Sequence, residues 1–183
     1  MHNIASQKAE SIIDLIKIKG KERVLDLGGG PGTYSLSFAK RGCMVVLFDL
    51  PETLKIAREY VKHEKNITLK EGDFLYEPIG KNYDLVFVSN IIHIFGIKEN
   101  TRLIRKISRS LRPGGRVVIH DFYLKKDRTT PVSGSLFSVN MLVNTPNGRA
   151  YSLNEIKEML RDGGFRSVTS RVVDTSVLVT ARR

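Results

Sequence analysis

Short apolar runs alternate along this chain with stretches whose apolar residues recur at helical spacing. The runs at 24–27, 43–49, 67–74, 83–89 and 116–120 read as strands. Between them lie candidate helices. The first, 4–18, carries Ile12, Ile13, Leu15, Ile16 and Ile18 and is ended by Gly20. Residues 34–40 form a second, and 51–63 a third with Pro51 in its first turn. Residues 98–111 form a fourth, with Leu103, Ile104, Ile107 and Leu111 on one face. A fifth, 152–161, opens with Ser152 and has Glu155 placed to complete a capping box. Two last β segments, 165–173 and 176–181, are joined by Asp174-Thr175. This alternation predicts an α/β, Rossmann-like doubly wound sheet of seven strands, mostly parallel, with helices on both faces and an antiparallel C-terminal hairpin. Residues 122–150 interrupt the pattern, with Pro131, Gly134, Pro146 and Gly148 around an apolar centre at 136–142. At 183 residues the chain suits one domain, 1–183, with 1–20 as opening helix and 122–150 as an insertion on the ligand side.

The first run stops in an acid and then in glycines: Leu25-Asp26-Leu27-Gly28-Gly29-Gly30-Pro31-Gly32. A strand, a glycine turn and a helix together present bare backbone N–H groups and a positive helix end to a ligand. A dinucleotide fingerprint needs G-x-G-x-x-G, but Thr33 follows Gly28 at the required interval and Ser35 follows Gly30. Asp26 would repel a pyrophosphate and suits a cationic amino group. A ligand with an amino acid at one end and a nucleoside at the other meets both conditions, and S-adenosylmethionine is one. Asp49, about 20 residues past the glycines, stands where a ribose diol wants an acceptor. Gly72-Asp73-Phe74 could hydrogen-bond an adenine amine and stack on its ring. Acids that follow strands also cap helices and turns, and that reading is open for each of Asp26, Asp49 and Asp73 taken singly.

The chain resembles a class I S-adenosylmethionine-dependent methyltransferase, and within that group the catalytic domain of plant-type small-molecule O-methyltransferases and their microbial relatives. The resemblance rests on the glycine loop, Phe48-Asp49-Leu50-Pro51, Gly72-Asp73-Phe74, Ile91-Ile92-His93, Leu111-Arg112-Pro113-Gly114-Gly115-Arg116, Asn140-Met141-Leu142-Val143 and Gly148-Arg149. It extends from about residue 5 onward, and the closing pair of β segments resembles the reversed hairpin of methyltransferases. It implies a cofactor site of Asp26, Gly28, Gly30, Gly32, Asp49, Leu50, Gly72, Asp73, Phe74, Ser89 and Asn90, with S-adenosyl-L-homocysteine as product and no metal. It also implies an N-terminal helical dimerisation domain. The chain leaves no room for one, so the expectation is that the domain is lost or that a homodimer or partner chain replaces it.

His93 lies four residues beyond the fourth strand, at the end where ligands bind in such sheets. A phenol or alcohol attacks a methyl sulfonium well only as it loses its proton, and an imidazole that titrates near neutrality can take it. By the resemblance His93 is the general base and Asp121 its flanking acid. Ile94-Phe95 replace the family's Asp-Trp after the base, and Ala150 stands where a second flanking acid is expected. His120 reads as a strand residue satisfied by a neighbour, and His2 and His63 as surface residues. Phe137, Asn140 and Met141 in the insertion are candidate walls of an acceptor pocket.

The net charge of +11, from 30 basic and 19 acidic residues, concentrates on 98–128. Arg102, Arg105, Arg109 and Arg112 share a helix face, which a solvated surface explains, with RNA or an anionic metabolite as the alternative partner. No RNA-binding module, Pro-Pro-aromatic step or metal-ligand spacing accompanies them. The single cysteine, Cys43, cannot form an internal disulfide, and no run is long enough to span a bilayer, so a cytoplasmic protein is expected. The function these features favour is methylation of a small hydroxylated or enolic acceptor. The alternatives are a macromolecular methyltransferase or a cofactor-binding subunit dependent on a partner.

Overall fold

The apolar runs at 24–27, 45–49, 83–89 and 117–121 pair in the middle of one sheet and are buried on both faces, the condition under which parallel strands lose polar alternation, whereas the run from 67 lies at the sheet edge and is only partly buried. The computed structural model describes the backbone of residues 2–183 and the side chains of residues 9–183, so the expected surface position of His2 lies outside the described side chains. The strands are β1 (Arg23–Leu27), β2 (Met44–Asp49), β3 (Ile67–Glu71), β4 (Tyr83–Ser89), β5 (Leu111–Leu124), β6 (Tyr151–Ser152), β7 (Arg166–Val173) and β8 (Ser176–Arg182). The helices are α1 (His2–Ile16), α2 (Thr33–Lys40), α3 (Pro51–Val61), α4 (Ile97–Ser110), α5 (Val132–Asn144) and α6 (Leu153–Asp162). Strand order is β3-β2-β1-β4-β5-β8-β7, with the two-residue β6 beside β5. The first five strands run parallel, whereas β8 is antiparallel to β5 and β7. The expected Rossmann-like sheet with its reversed C-terminal pair is what the chain adopts, enlarged by β6.

Two apolar layers clamp the sheet. Leu25, Leu27, Val86 and Val88 meet Leu103, Ile104 and Ile107 of α4 and Ile156 and Leu160 of α6. Val24, Val45, Leu85 and Phe87 meet Ile12, Ile13 and Ile16 of α1 and Phe38 of α2. Side chains alternate along a strand, so Asp26 points to the same face as Val24 and meets the start of α2. At α6 the capping box forms both ways: Ser152 Oγ accepts from Glu155 N at 3.2 Å, and Glu155 Oε2 accepts from Ser152 N at 2.8 Å. Such a cap contributes about 1 kcal/mol.

Several boundaries differ from the sequence expectation: α1 and α3 each end two residues early, at Ile16 and Val61, and β5 begins at Leu111. Strand β3 stops at Glu71, which leaves Gly72-Asp73-Phe74 in the turn beyond it. Helix α4 stops at Ser110, so Arg112 belongs to β5 and pairs with Asp84 instead of extending the basic helix face. Arg102, Arg105 and Arg109 do lie exposed on α4, opposite its buried Leu103, Ile104 and Ile107. Within 122–150 the chain completes β5, forms α5 and reaches β6. Among the described residues no helix is long and apolar enough to cross a membrane.

Candidate active site

The sheet's order reverses between β1 and β4, and ligands of open α/β sheets sit at such a switch, beyond the carboxyl ends of the strands. The glycine loop fills that position. Gly28 N donates to Phe48 O at 2.8 Å and Gly30 N to Asp49 Oδ2 at 2.8 Å, tying the loop to β2. Gly30 has φ +57°, and a Cβ there would meet nothing within 4 Å, so its backbone lies bare. Gly28 is different: a Cβ would run into the Ile91 side chain. A cavity of about 370 Å³ opens against Asp26, Gly28, Gly29, Gly30, Pro31, Thr33, Tyr34, Ser89 and Asn90.

Asp26 is buried and accepts from Ser35 Oγ at 2.7 Å. Burial, reinforced by the nearby Asp49 and opposed by the Ser35 bond, pushes its carboxyl up to about 6. A buried carboxylate of that kind gains most from a cation placed against it.

A second cavity of about 400 Å³ adjoins the first and shares Tyr34 and Asn90 with it. His93, His120, Phe122, Phe137, Met141, Thr175 and Ser176 complete its wall. His93, 8% exposed, donates from Nδ1 to Asp121 Oδ1 at 2.6 Å, which leaves Nε2 with its lone pair. Asp121 Oδ1 also accepts from Phe122 N at 2.7 Å, while its Oδ2 is buried without a partner. The Phe122 and Phe137 rings stack at 3.9 Å, and Phe137 meets the imidazole edge-on at 4.7 Å. The short turn Ile92–Ile94 that carries His93 is pinned from several sides. Asn100 Nδ2 donates to Ile92 O at 2.8 Å, Arg149 N to His93 O at 2.9 Å, and Tyr151 OH to Phe95 O at 2.5 Å. Gly148 lies so close that a Cβ there would run into the carbonyls of His93 and Ile94.

The structure thus brings His93 and Asp121 together, and it sets Phe137 and Met141 on the wall of the second cavity. Asn140 does not reach that wall; it is exposed, and its Oδ1 accepts from Asn144 Nδ2 at 2.8 Å. Of the residues expected around the cofactor, Asp26, Gly28, Gly30, Ser89 and Asn90 line the first cavity. Gly32, in left-handed conformation, caps α2, and Asp49 lies behind the loop with Oδ1 accepting from Leu50 N at 2.7 Å. Leu50 is an exposed helix N-cap. Gly72 and Asp73 shape the turn after β3, where Asp73 N donates to Glu77 Oε1 at 2.9 Å. Phe74 packs in the core, edge-on to Phe95 at 6.0 Å, and not as an open stacking face.

Four polar residues of the wall, Tyr34, His120, Thr175 and Ser176, are absent from the expected site. Ser176 Oγ donates to Val173 O at 2.8 Å, so it accepts from His120 Nε2 at 2.9 Å. Nδ1 is then the acceptor, bonded to Tyr34 OH at 3.2 Å and Ser89 Oγ at 3.1 Å. The available signal is a tyrosine in the first turn after the glycine loop, one of two helical positions there that face the strand ends.

The O-methyltransferase domain model matches residues 1–166. The chain is 35% identical over 153 residues to an acetylserotonin O-methyltransferase of Gallus gallus, covering 81% of this chain and 44% of that protein. It is 32% identical to the tetracenomycin polyketide synthesis 8-O-methyl transferase TcmO of Streptomyces glaucescens, over 81% of this chain and 45% of that one. An O-methyltransferase family 2 protein from Planctomyces limnophilus, solved in complex with apigenin, superposes with a TM-score of 0.83 at 29% identity, covering 91% and 52% of the two chains. The chain therefore spans about half the length of the relatives it matches.

Proposed function

The chain belongs to the O-methyltransferase domain family, and from that premise we propose that it methylates a hydroxyl or enol oxygen of a small molecule with S-adenosylmethionine as donor. The observation that carries this reading is His93, held from behind by the buried Asp121, in the wall of a cavity that adjoins the glycine-loop cavity. The first cavity fits the donor. Asp26 offers a buried carboxylate to an ammonium group and the bare backbone at Gly30 allows close approach, while Asp49, outside the cavity wall and bonded to the loop, keeps one lone pair on each oxygen for a ribose diol at its rim. When bound, S-adenosylmethionine supplies an electrophilic methyl group on a sulfonium.

The chain's own residues handle the acceptor. Phe122, Phe137 and Met141 give an apolar wall suited to a planar ring and exclude water from it. His93 Nε2 takes the proton of the acceptor hydroxyl, while Asp121 fixes the tautomer and faces the imidazolium that results. The unpartnered Oδ2 of Asp121 adds buried negative charge beside that cation. Incubation with labelled donor and a panel of phenols should yield methyl ethers by mass spectrometry. His93→Gln should then cut the chemical step by roughly 10²–10⁴-fold at unchanged donor affinity. Full turnover by that variant would reject the base.

A homodimer or partner chain over the acceptor cavity is a further part of this reading. Val132, Leu136, Val139 and Val143 form one apolar stripe on α5, with Leu136 66% and Val143 78% exposed. Light scattering of Leu136→Asp against the parent chain tests it: an unchanged mass would remove the stripe from consideration. The reading takes residues 1–183 as one domain, supported by the single sheet. A reducing, cytoplasmic setting is supported by Cys43, which is buried and free, with its thiol pushed up to about 11 by burial.

A further inference from the structure

The opposite end of the sheet holds a cavity of about 370 Å³ that the reaction above does not use. Strands β1, β4 and β5 begin there and β8 ends there. Its lining includes Lys17, Lys19, Lys21, Arg112, Arg116 and Arg182. Two acids, Glu22 and Asp84, share it, and both are engaged. Glu22 accepts from Lys19 N at 2.6 Å and Lys21 N at 3.1 Å, and Asp84 accepts from Arg23 N at 2.7 Å and pairs with Arg112. Six cations against two acids leave the lining four charges positive.

The sheet register adds an independent observation. Arg116 of β5 stands opposite Arg182 of β8, and Arg182 stands opposite Arg166 of β7. Three guanidinium groups therefore share one rung, although like charges directly opposite each other destabilise a strand pair. Arg116 is half-buried and donates from Nη2 to Lys17 O at 3.2 Å. Burial, and then Arg182, lower its pKa from the ordinary arginine value against the opposing pull of Glu22. Of the three, Arg116 and Arg182 line the cavity; an anion between them would relieve the repulsion, and arginine forks match phosphate oxygens in pairs. No aromatic side chain lines the cavity, so there is no surface on which nucleic-acid bases could stack.

We propose that this basal cavity binds a small anion carrying two or more phosphate groups, at a site separate from the glycine loop. A nucleoside triphosphate and inorganic triphosphate share that chemistry. The test titrates sodium triphosphate, ATP, orthophosphate and a single-stranded RNA oligomer at fixed ionic strength, by calorimetry and thermal shift, into the parent chain, Arg182→Gln and Arg116→Gln. Triphosphate should bind and raise Tm in the parent chain, and each variant should weaken it at least tenfold. ATP equal to triphosphate assigns recognition to the phosphates, and ATP at least tenfold tighter assigns it to a nucleotide. Arg182 is exposed at the sheet's end, so Arg182→Gln without ligand should melt at or above the parent's temperature, which separates lost binding from lost folding. Equal triphosphate binding by parent and Arg182→Gln would overturn the site. So would no parent response at millimolar triphosphate, or RNA that binds more tightly than triphosphate.

Discussion

Replacing Asp26 by Asn should raise the stability of the fold at neutral pH while weakening the cofactor site. The carboxyl is fully buried and titrates at about 6, against 3.8 for an ordinary aspartate. A shift of that size corresponds to about 3 kcal/mol of unfavourable ionisation in the folded state. Between those two values the folded chain binds a proton that the unfolded chain has released. The associated stability is therefore present at low pH, is lost as pH rises from about 4 to 6, and stays lost above that. Asparagine keeps the shape and can still accept from Ser35, whose bond to the ionised carboxylate is already contained in the value of about 6. The expected result is Asp26→Asn more stable than the parent by about 1–3 kcal/mol at pH 8, a Tm increase of about 2–4 °C for each kcal/mol, with the gap closing by pH 4.5. The assay is urea unfolding of both chains at half-unit pH steps, so that groups common to both cancel. Calorimetry with S-adenosylmethionine should in turn show binding weakened by about 1.5–3 kcal/mol, the scale of a hydrogen bond to a charged group. Parallel pH profiles for the two chains, or a less stable variant at pH 8, would refute the reasoning.

Three further outcomes are expected. Asp49→Ala should cost about 1.5–3 kcal/mol of donor affinity by calorimetry, because it removes both the diol acceptor and the anchor of Gly30 N; unchanged affinity, or tighter binding of NAD, would exclude Asp49 from the site. Gly148→Ala should destabilise by about 1–3 kcal/mol and lower kcat more than donor affinity, since the added methyl group pushes on the turn that carries His93; an equal kcat would show that the turn yields elsewhere. Charge reversal at Arg105 and Arg109 should leave turnover on a small acceptor unchanged and insensitive to salt, whereas steep salt dependence in the parent would point to a nucleic-acid acceptor.

The sheet and the donor side are readable in the sequence because their signals are local. Runs buried on both faces are apolar throughout, and the glycine loop with Asp26 is contiguous. Membership of the O-methyltransferase family, which the motifs indicate, is borne out over most of the chain. The acceptor wall depends on strand order instead. Ser176 faces Phe122 only because β8 pairs with β5, a neighbour more than fifty residues distant in sequence, and that pairing is what brings Ser176 to His120. Helix α5 has no clean polar face to mark its period, since Val132, Leu136, Val139 and Val143 are exposed alongside Asn140 and Asn144. Phe74 reads as an open ring after a strand, yet Phe48 and Phe95 enclose it. Arg112 follows the helical spacing of its neighbours but lies two residues beyond the helix end.

The two adjoining cavities draw their walls from different parts of the chain, and this divides what can be altered independently. The first cavity is built from the glycine loop, the start of α2 and the ends of β1 and β4, whereas Phe122, Phe137, Met141, Thr175 and Ser176 of the second come from the end of β5, from α5 and from the C-terminal hairpin. On the proposed function, side chains at 137 and 141 can be exchanged to admit acceptors of another size while the first cavity is left as it is. Tyr34 and Asn90 have no such freedom: they line both cavities and form the partition, and a change to either alters both at once. A library that seeks new acceptors should therefore randomise α5 and leave the partition untouched.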